Sequence, residues 1–252
     1  MEERLQKLLS QWGIASRRQA EALMQAKRVK VNGDWAQLGQ KVDPSRDVVQ
    51  LDGRPIGVEP APQRHYLILN KPLGVVSTCS DPQGRTTVLD LLPKSLSVGQ
   101  GIHPVGRLDV NSTGALLLTN DGDFTYQLTH PKHQVAKTYY VVVKGWLSPS
   151  SLERWRRGIV LADRKTLPAQ VECLKRRPGQ MALEVVLKEG RNRQIRRVAA
   201  RLGHPVITLH RVTIGMLSVD SLKLGQHRLL TASEIAELTQ AAQNPNLSLG
   251  GS

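Results

Sequence analysis

Apolar residues at Leu5, Leu8, Leu9 and Trp12 recur at the three- and four-residue spacing of one helix face, and Gly13 ends the run. Ser16, with Gln19 three residues on, has the pattern of a capping box and predicts a second helix carrying Ala20, Leu23 and Met24. The period then shortens to two. Val29-Lys30-Val31 and Val48-Val49-Gln50-Leu51 read as strands, with Asn32-Gly33 and Asp52-Gly53 behind them as tight turns. Residues 1–58 therefore make a small α/β unit.

Residues 59–65 carry no apolar pattern and lie in the proline-bearing stretch GVEPAPQRH, so they are expected to be a linker. From Tyr66 the chain is mostly strands: YLILNKP, GALLLT, TYYVVVKGW, AQVECL, MALEVVLKEG and PVITLHRVTIG are rich in β-branched residues. Helices are predicted over Ser150–Gly158, Asn192–Leu202 and Ala232–Leu238. Too few strands alternate with long helices for an all-parallel sheet. The expected fold class is α+β, with a mixed, mainly antiparallel sheet and flanking helices over residues 66–240, preceded by the small α/β unit. Residues 241–252 are polar and small, and are expected to form a disordered tail.

Charge narrows the classes of partner. Lysine and arginine number 35 against 21 acidic residues, for a net charge of +14, which points to a polyanion. MEERLQKLLSQW is amphipathic rather than an apolar leader, and no apolar run approaches the roughly 20 residues of a spanning helix. No membrane association is expected. Cys79 and Cys173 are isolated, with no metal-ligand spacing, and read as reduced thiols of a cytoplasmic protein. His130 and His133 lack carboxylate or cysteine companions and read as loop residues, so no metal site is expected.

Three segments carry candidate chemistry. In GRLDVNSTGALLLTNDGD, Asp109 is a carboxylate in a chain made to meet polyanions, and Arg107 shares its side if the backbone there is extended. In QVAKTYYVVVKGW, alternation sends Tyr139, Val141 and Val143 to one face and Tyr140, Val142 and Lys144 to the other. One tyrosine can then face a ligand while the other packs or meets solvent. From Lys188 to Arg211 the chain holds seven basic residues and one acidic, Glu189. On a helical wheel Ile195, Val198, Ala199 and Leu202 form one apolar stripe, with Arg193 and Arg197 pointing away and Arg196 and Arg201 on its flanks. A partly buried arginine requires an anion, although periodicity does not say which.

GIASRRQAEALMQAKRVKVNG resembles the small RNA-binding domain named after ribosomal protein S-four, whose two helices grip RNA phosphates. That resemblance implies RNA contacts from Arg17, Arg18, Lys27, Arg28 and Lys30. After it, GRLDVNSTGALLLTNDGD, KTYYVVV and EGRNRQIRRV, in this order, resemble the bacterial ribosomal-RNA pseudouridine synthases. Isomerisation of a uridine already in RNA is implied, moving its glycosidic bond from a ring nitrogen to a ring carbon. The reaction is redox-neutral and requires no cofactor or metal. Asp109 matches the family's essential aspartate, which attacks the sugar or abstracts a proton; the sequence does not choose between them. Arg196 matches the arginine that pairs with it through charge-assisted hydrogen bonds.

Tyr139 matches the tyrosine whose ring lies against the base, unless the register slips and Tyr140 takes its place. Ile195 or a neighbour floors the pocket, and Arg107 is the candidate to fill the space left by a flipped base. Arg191, Arg193 and Arg197 are expected to contact RNA phosphates. DPQGRTTVLDLLP leans towards large-subunit 23S rRNA, with 16S rRNA the alternative. A non-catalytic RNA-binding or ribosome-assembly role is the competing reading. The expected partner is ribosomal RNA or a ribosomal precursor particle, and the expected state a monomer.

Overall fold

The computed structural model describes residues 2–57, 62–162 and 164–244. Residues 59–61 of the expected linker and 245–252 of the expected tail lie outside the described residues. Contacts group residues 1–65 with 92–103 and 119–122 in one compact unit. Residues 66–91, 104–118 and the described chain from Asp123 onward form the other.

In the first unit, helix α1 (Leu5–Gln11) and helix α2 (Arg17–Gln25) bury Leu5, Leu8, Leu9, Ala20 and Met24. Both halves of the capping box at α2 are present: the Gln19 amide donates to Ser16 Oγ, and the Ser16 amide donates to Gln19 Oε1. Strand β1 (Val29–Val31) is flanked by β2 (Asp34–Trp35) and β3 (Val49–Leu51), and β4 (Arg54–Ile56) pairs with β3, all antiparallel. Asn32 and Gly33 both have positive φ, as do Asp52 and Gly53, the backbone that a tight type I′ hairpin turn demands.

In the second unit the main path of the sheet is made by β5 (Tyr66–Lys71), β6 (Thr113–Thr119), β7 (Lys137–Lys144), β8 (Gln170–Arg177), β9 (Gln180–Leu187), β10 (Val206–Ile214) and β11 (His227–Leu229). Their order in the sheet is β8-β9-β7-β10-β6-β5-β11. The β8/β9, β9/β7, β7/β10 and β5/β11 pairings are antiparallel, and β10/β6 is parallel. The sheet is thus mixed and mainly antiparallel, as the strand spacing predicts. Helices α3 (Gly122–Thr129) and α6 (Ala232–Gln243) cover part of one face with Phe124, Leu128, Leu238 and Ala242, packed against Ile68, Ala115, Leu117 and Ile214. Helix α4 (Pro149–Arg157) follows β7, and α5 (Gln194–Arg201) lies between β9 and β10.

The helices differ from expectation by a residue or more at most ends, and one was not predicted. Helix α5 starts at Gln194 instead of Asn192, because Arg193 takes a left-handed conformation with φ of +48°. Helix α6 runs to Gln243, beyond Leu238, because Ala242 is fully buried and ties the last turn to the core. Helix α3 was not predicted, since Phe124 and Leu128 are its only buried side chains and eight residues give little periodicity to read.

The parallel β10/β6 junction depends on Gly114, which pairs with Arg211 at φ of +109°. A Cβ there would overlap the backbone carbonyl and amide of Arg211. Gly114→Ala is accordingly expected to destabilise the protein by about 3 kcal/mol, read by denaturant unfolding, through backbone clash added to the strained φ. Among the described residues no helix is long and apolar enough to cross a membrane.

Candidate active site

The mouth of a cavity of about 680 Å³ in the second unit gathers the loop before β6, the inner face of β7 and β10, and the start of α5. The loop is held at three points. Ser77 Oγ donates to the Leu108 carbonyl at 2.9 Å and accepts from the Leu108 amide at 3.2 Å. The Gly74 amide donates to the Val110 carbonyl at 2.8 Å. The Ser112 amide closes a turn on the Asp109 carbonyl at 3.0 Å. Asp109 sits at the start of that turn, its side chain about a quarter exposed.

Two guanidiniums address the Asp109 carboxylate differently. Arg193 Nη1 donates to Oδ2 at 3.2 Å and to Asn111 Oδ1 at 3.4 Å. Its side chain is 43% exposed. Arg196 is far more enclosed, 11% exposed, and its Nε lies 3.9 Å from the same Oδ2. That is ionic contact but not a hydrogen bond. Arg196 Nη2 instead donates to the Asn111 carbonyl at 2.7 Å and to Ser112 Oγ at 3.2 Å, while its buried Nε has no hydrogen-bond partner. Burial and the Arg193 charge push the Arg196 pKa down from its ordinary value, and Asp109 pulls it back up. The expected charge-assisted bond from Arg196 to Asp109 is therefore absent as such, and Arg193, expected only on phosphates, supplies the nearer contact. The left-handed Arg193 backbone explains the exchange, since it turns that side chain off the helix and back over the loop.

Tyr139 lies buried in β7, beside Val185 of β9 and Arg211 of β10, and lines the cavity. Tyr140 is on the opposite face, 41% exposed, so the pleat puts the first tyrosine and not the second at the cavity. Ile195, in the first turn of α5, is buried and lines it too, as does the exposed Arg107.

The remaining basic candidates separate by their partners. Arg191 donates to the carbonyls of Arg164 and Leu161, at 3.1 and 3.4 Å, and so ties down the antiparallel pair Val160–Leu161 and Arg164–Lys165. Arg197 is exposed on the outer side of α5. In the first unit Arg17, Arg18 and Lys27 are exposed, whereas Arg28 grips Asp52 with two bonds of 2.8 and 2.5 Å, and Lys30 Nζ lies 4.5 Å from the Trp35 ring centroid.

Lys71, which supports the Asp109 loop, was not singled out in the sequence, nor were Lys137 and Arg211 of the cavity wall. Lys71 ends β5 fully buried, and its Nζ donates to the carbonyls of Pro72 and Val75 at 2.8 Å each. It pins the turn whose Gly74 amide holds the Asp109 loop. Burial pushes its pKa down to about 8, opposed by the Asp109 charge. A lysine closing the apolar run YLILNK and followed by proline is the signal available in the sequence. Among the described residues no group of three His, Cys, Asp or Glu side chains could hold a metal ion.

A carboxylate in ionic contact with two arginines, at a cavity lined by a tyrosine, can act as nucleophile or base. The family model for RNA pseudouridylate synthase matches residues 65–201, and the S4 domain model matches residues 3–48. The ribosomal large subunit pseudouridine synthase B of Bacillus subtilis is 40% identical over 245 residues, covering 96% of this chain and 98% of that protein. A protein of the same name from Pseudomonas aeruginosa is also 40% identical, covering 94% of this chain and 62% of its own length. The crystal structure of a pseudouridylate synthase superposes with a TM-score of 0.68 at 31% identity, over 93% of this chain and 99% of that one. The chain belongs to the RNA pseudouridine synthase family, with an S4 domain at its N-terminal end.

Proposed function

We propose that this protein converts one uridine of large-subunit 23S ribosomal RNA to pseudouridine, with Asp109, Tyr139 and Arg196 as its reacting centre. The observation that carries the reading is the Asp109 carboxylate, held ionically by Arg193 and Arg196 at a cavity that Tyr139 lines. Binding alone gains nothing from a carboxylate set among phosphates, whereas isomerisation requires one. The names of the relatives in Bacillus subtilis and Pseudomonas aeruginosa favour the large subunit.

The target uridine leaves its stack, at a cost of a few kcal/mol, and enters the cavity base first. Tyr139 lies against the ring, Ile195 supplies apolar floor, and Arg107 fills the vacated stack. Arg196 fixes the loop through Asn111 and Ser112, with Arg193 closing over Asp109. No step calls for a cofactor. Residues 1–58 serve as the RNA-binding domain, joined by residues 59–65 to the catalytic domain of 66–240. Arg17, Arg18, Lys27 and Arg197 contact phosphates, and the protein works as a cytoplasmic monomer on ribosomal RNA or a precursor particle.

Mapping pseudouridines in the ribosomal RNA of a deletion strain tests the target: one lost site in 23S rRNA is expected, and a loss confined to 16S rRNA would contradict it. Affinity for the RNA should fall steeply with salt. Arg197→Ala should reduce the slope of log K against log salt by about 0.7–0.9, the release for one phosphate. Arg28→Ala should change it little, because Arg28 is already neutralised by Asp52.

A further inference from the structure

Two cations on the cavity wall have no part in holding Asp109. Alternation along β7 puts Lys137 on the same face as Tyr139, and Arg211 is the cross-strand partner of Tyr139 on β10. Both line the cavity. Arg211 is only 5% exposed; its Nε donates to the Ala115 carbonyl at 2.6 Å, and its buried Nη2 has no partner. Lys137 Nζ donates to the Val135 carbonyl at 2.7 Å, which leaves two of its three donors. Burial, and then the Arg211 charge, push the Lys137 pKa down to about 8. Like charges buried side by side cost stability, and such pairs cluster where chemistry needs them. Leu187 and Ile214 flank Lys137 in the sheet and already supply the packing.

We propose that Lys137 and Arg211 act on the reaction itself, stabilising from the cavity wall the negative charge that the uracil ring acquires when its bond to the sugar breaks. This role rests on the function proposed above. The C1′–N1 bond breaks with both electrons staying on the ring, whose charge spreads over N1, O2 and O4. The ring then turns, and a pair of its electrons forms the C5–C1′ bond. One proton leaves C5 and one is gained at N1, so atoms and charge balance with no co-reactant. The nucleotide's own phosphates stay on the RNA backbone at the mouth. The base and its oxygens lie towards the buried Arg211 of the cavity wall. Donors aimed at charge that develops only on the way to reaction favour the transition state over the bound substrate.

The test compares wild type, Lys137→Met and Lys137→Arg on a 23S rRNA fragment, measuring single-turnover isomerisation at saturating protein, RNA affinity and thermal unfolding. Arg211 is left intact, since its Nε also holds the β10/β6 junction. Lys137→Met should lose about 100-fold in rate, as for one donor to a developing anion, with RNA affinity and folding maintained. Lys137→Arg should recover most of the rate. A Lys137→Met enzyme at the wild-type rate overturns the role, and so does one that loses only affinity, which assigns Lys137 to a backbone phosphate. An Arg variant as slow as the Met variant overturns it too, since charge would then not be what matters.

The wild-type protein gives a readout needing no Met variant. The charged and titratable groups that line the cavity with Lys137 are Arg211 and Tyr139 in the sheet, Lys188, Glu189, Arg191 and Arg193 after β9, and Asp81, Arg85, Arg107, Asp109 and His130 from the loops. With Lys137 titrating at about 8, the wild-type rate should fall above that pH, while Lys137→Arg stays level; a wild type level to pH 9.5, about 1.5 units higher, overturns the role. A wild type inactive on every fragment removes the function and this role together. An active wild type with a fully active Lys137→Met removes this role alone.

Discussion

Replacing Asp109 by asparagine is expected to lower single-turnover pseudouridine formation by about 10⁴-fold or to background, while RNA affinity stays within about threefold of wild type. The amide keeps the shape of the carboxylate, so the turn closed by Ser112 and the anchors on Leu108 and Val110 are untouched. What goes is the negative oxygen, which serves either attack on the sugar or removal of a proton. Affinity is spared because one carboxylate among many cations contributes nothing favourable to phosphate binding, and removing it relieves a repulsion. A neutral amide in place of the Asp109 carboxylate also leaves Arg193 and Arg196 without their counter-charge, which makes the site more cationic and not less. Activity at the wild-type level in this variant would remove the aspartate mechanism, whatever the fold.

The second large effect separates the two arginines. Arg196→Lys is expected to cost about 100-fold in rate, and Arg193→Lys no more than about fivefold. Arg196 is enclosed and makes three contacts at once: Nη2 donates to the Asn111 carbonyl and to Ser112 Oγ, and Nε is in ionic contact with Asp109. A lysine ammonium is a single point on a flexible stem and cannot reproduce that fork. Arg193, nearer but nearly half exposed, makes a solvated contact that a lysine can replace. The 3.9 Å gap at Arg196 Nε is about 1 Å longer than a hydrogen bond, and substrate binding is where such contacts tighten. Single-turnover rates at saturation for both variants decide the matter. A larger loss at Arg193 would reverse the assignment.

Much of this could be read in the chain before any coordinates. Asn32-Gly33 and Asp52-Gly53 announced hairpins, and both pairs adopt the positive φ such turns require. Alternation along KTYYVVVK put Tyr139 and Tyr140 on opposite faces without saying which is inner; the fold buries Tyr139 and leaves Tyr140 exposed. The resemblance pointed to Asp109, and the loop brings it to a cavity shared with Tyr139 and Ile195. Other features were illegible for physical reasons. Arg193 reads on a helical wheel as pointing away from the apolar stripe, but a left-handed backbone takes it off the wheel altogether. Lys71 reads as a flaw in an apolar strand, because the carbonyls that accept from it are supplied by a turn the strand pattern does not describe. That Lys137 and Arg211 line one cavity depends on β10 lying between β7 and β6, an order that no local period encodes.

The most direct measurement is pseudouridine mapping in ribosomal RNA from a strain lacking this gene, complemented in turn by the wild-type chain and by Asp109→Asn. One position should be unmodified in the deletion strain, restored by the wild type and left as uridine by the variant. Restoration by Asp109→Asn would contradict the account at its centre.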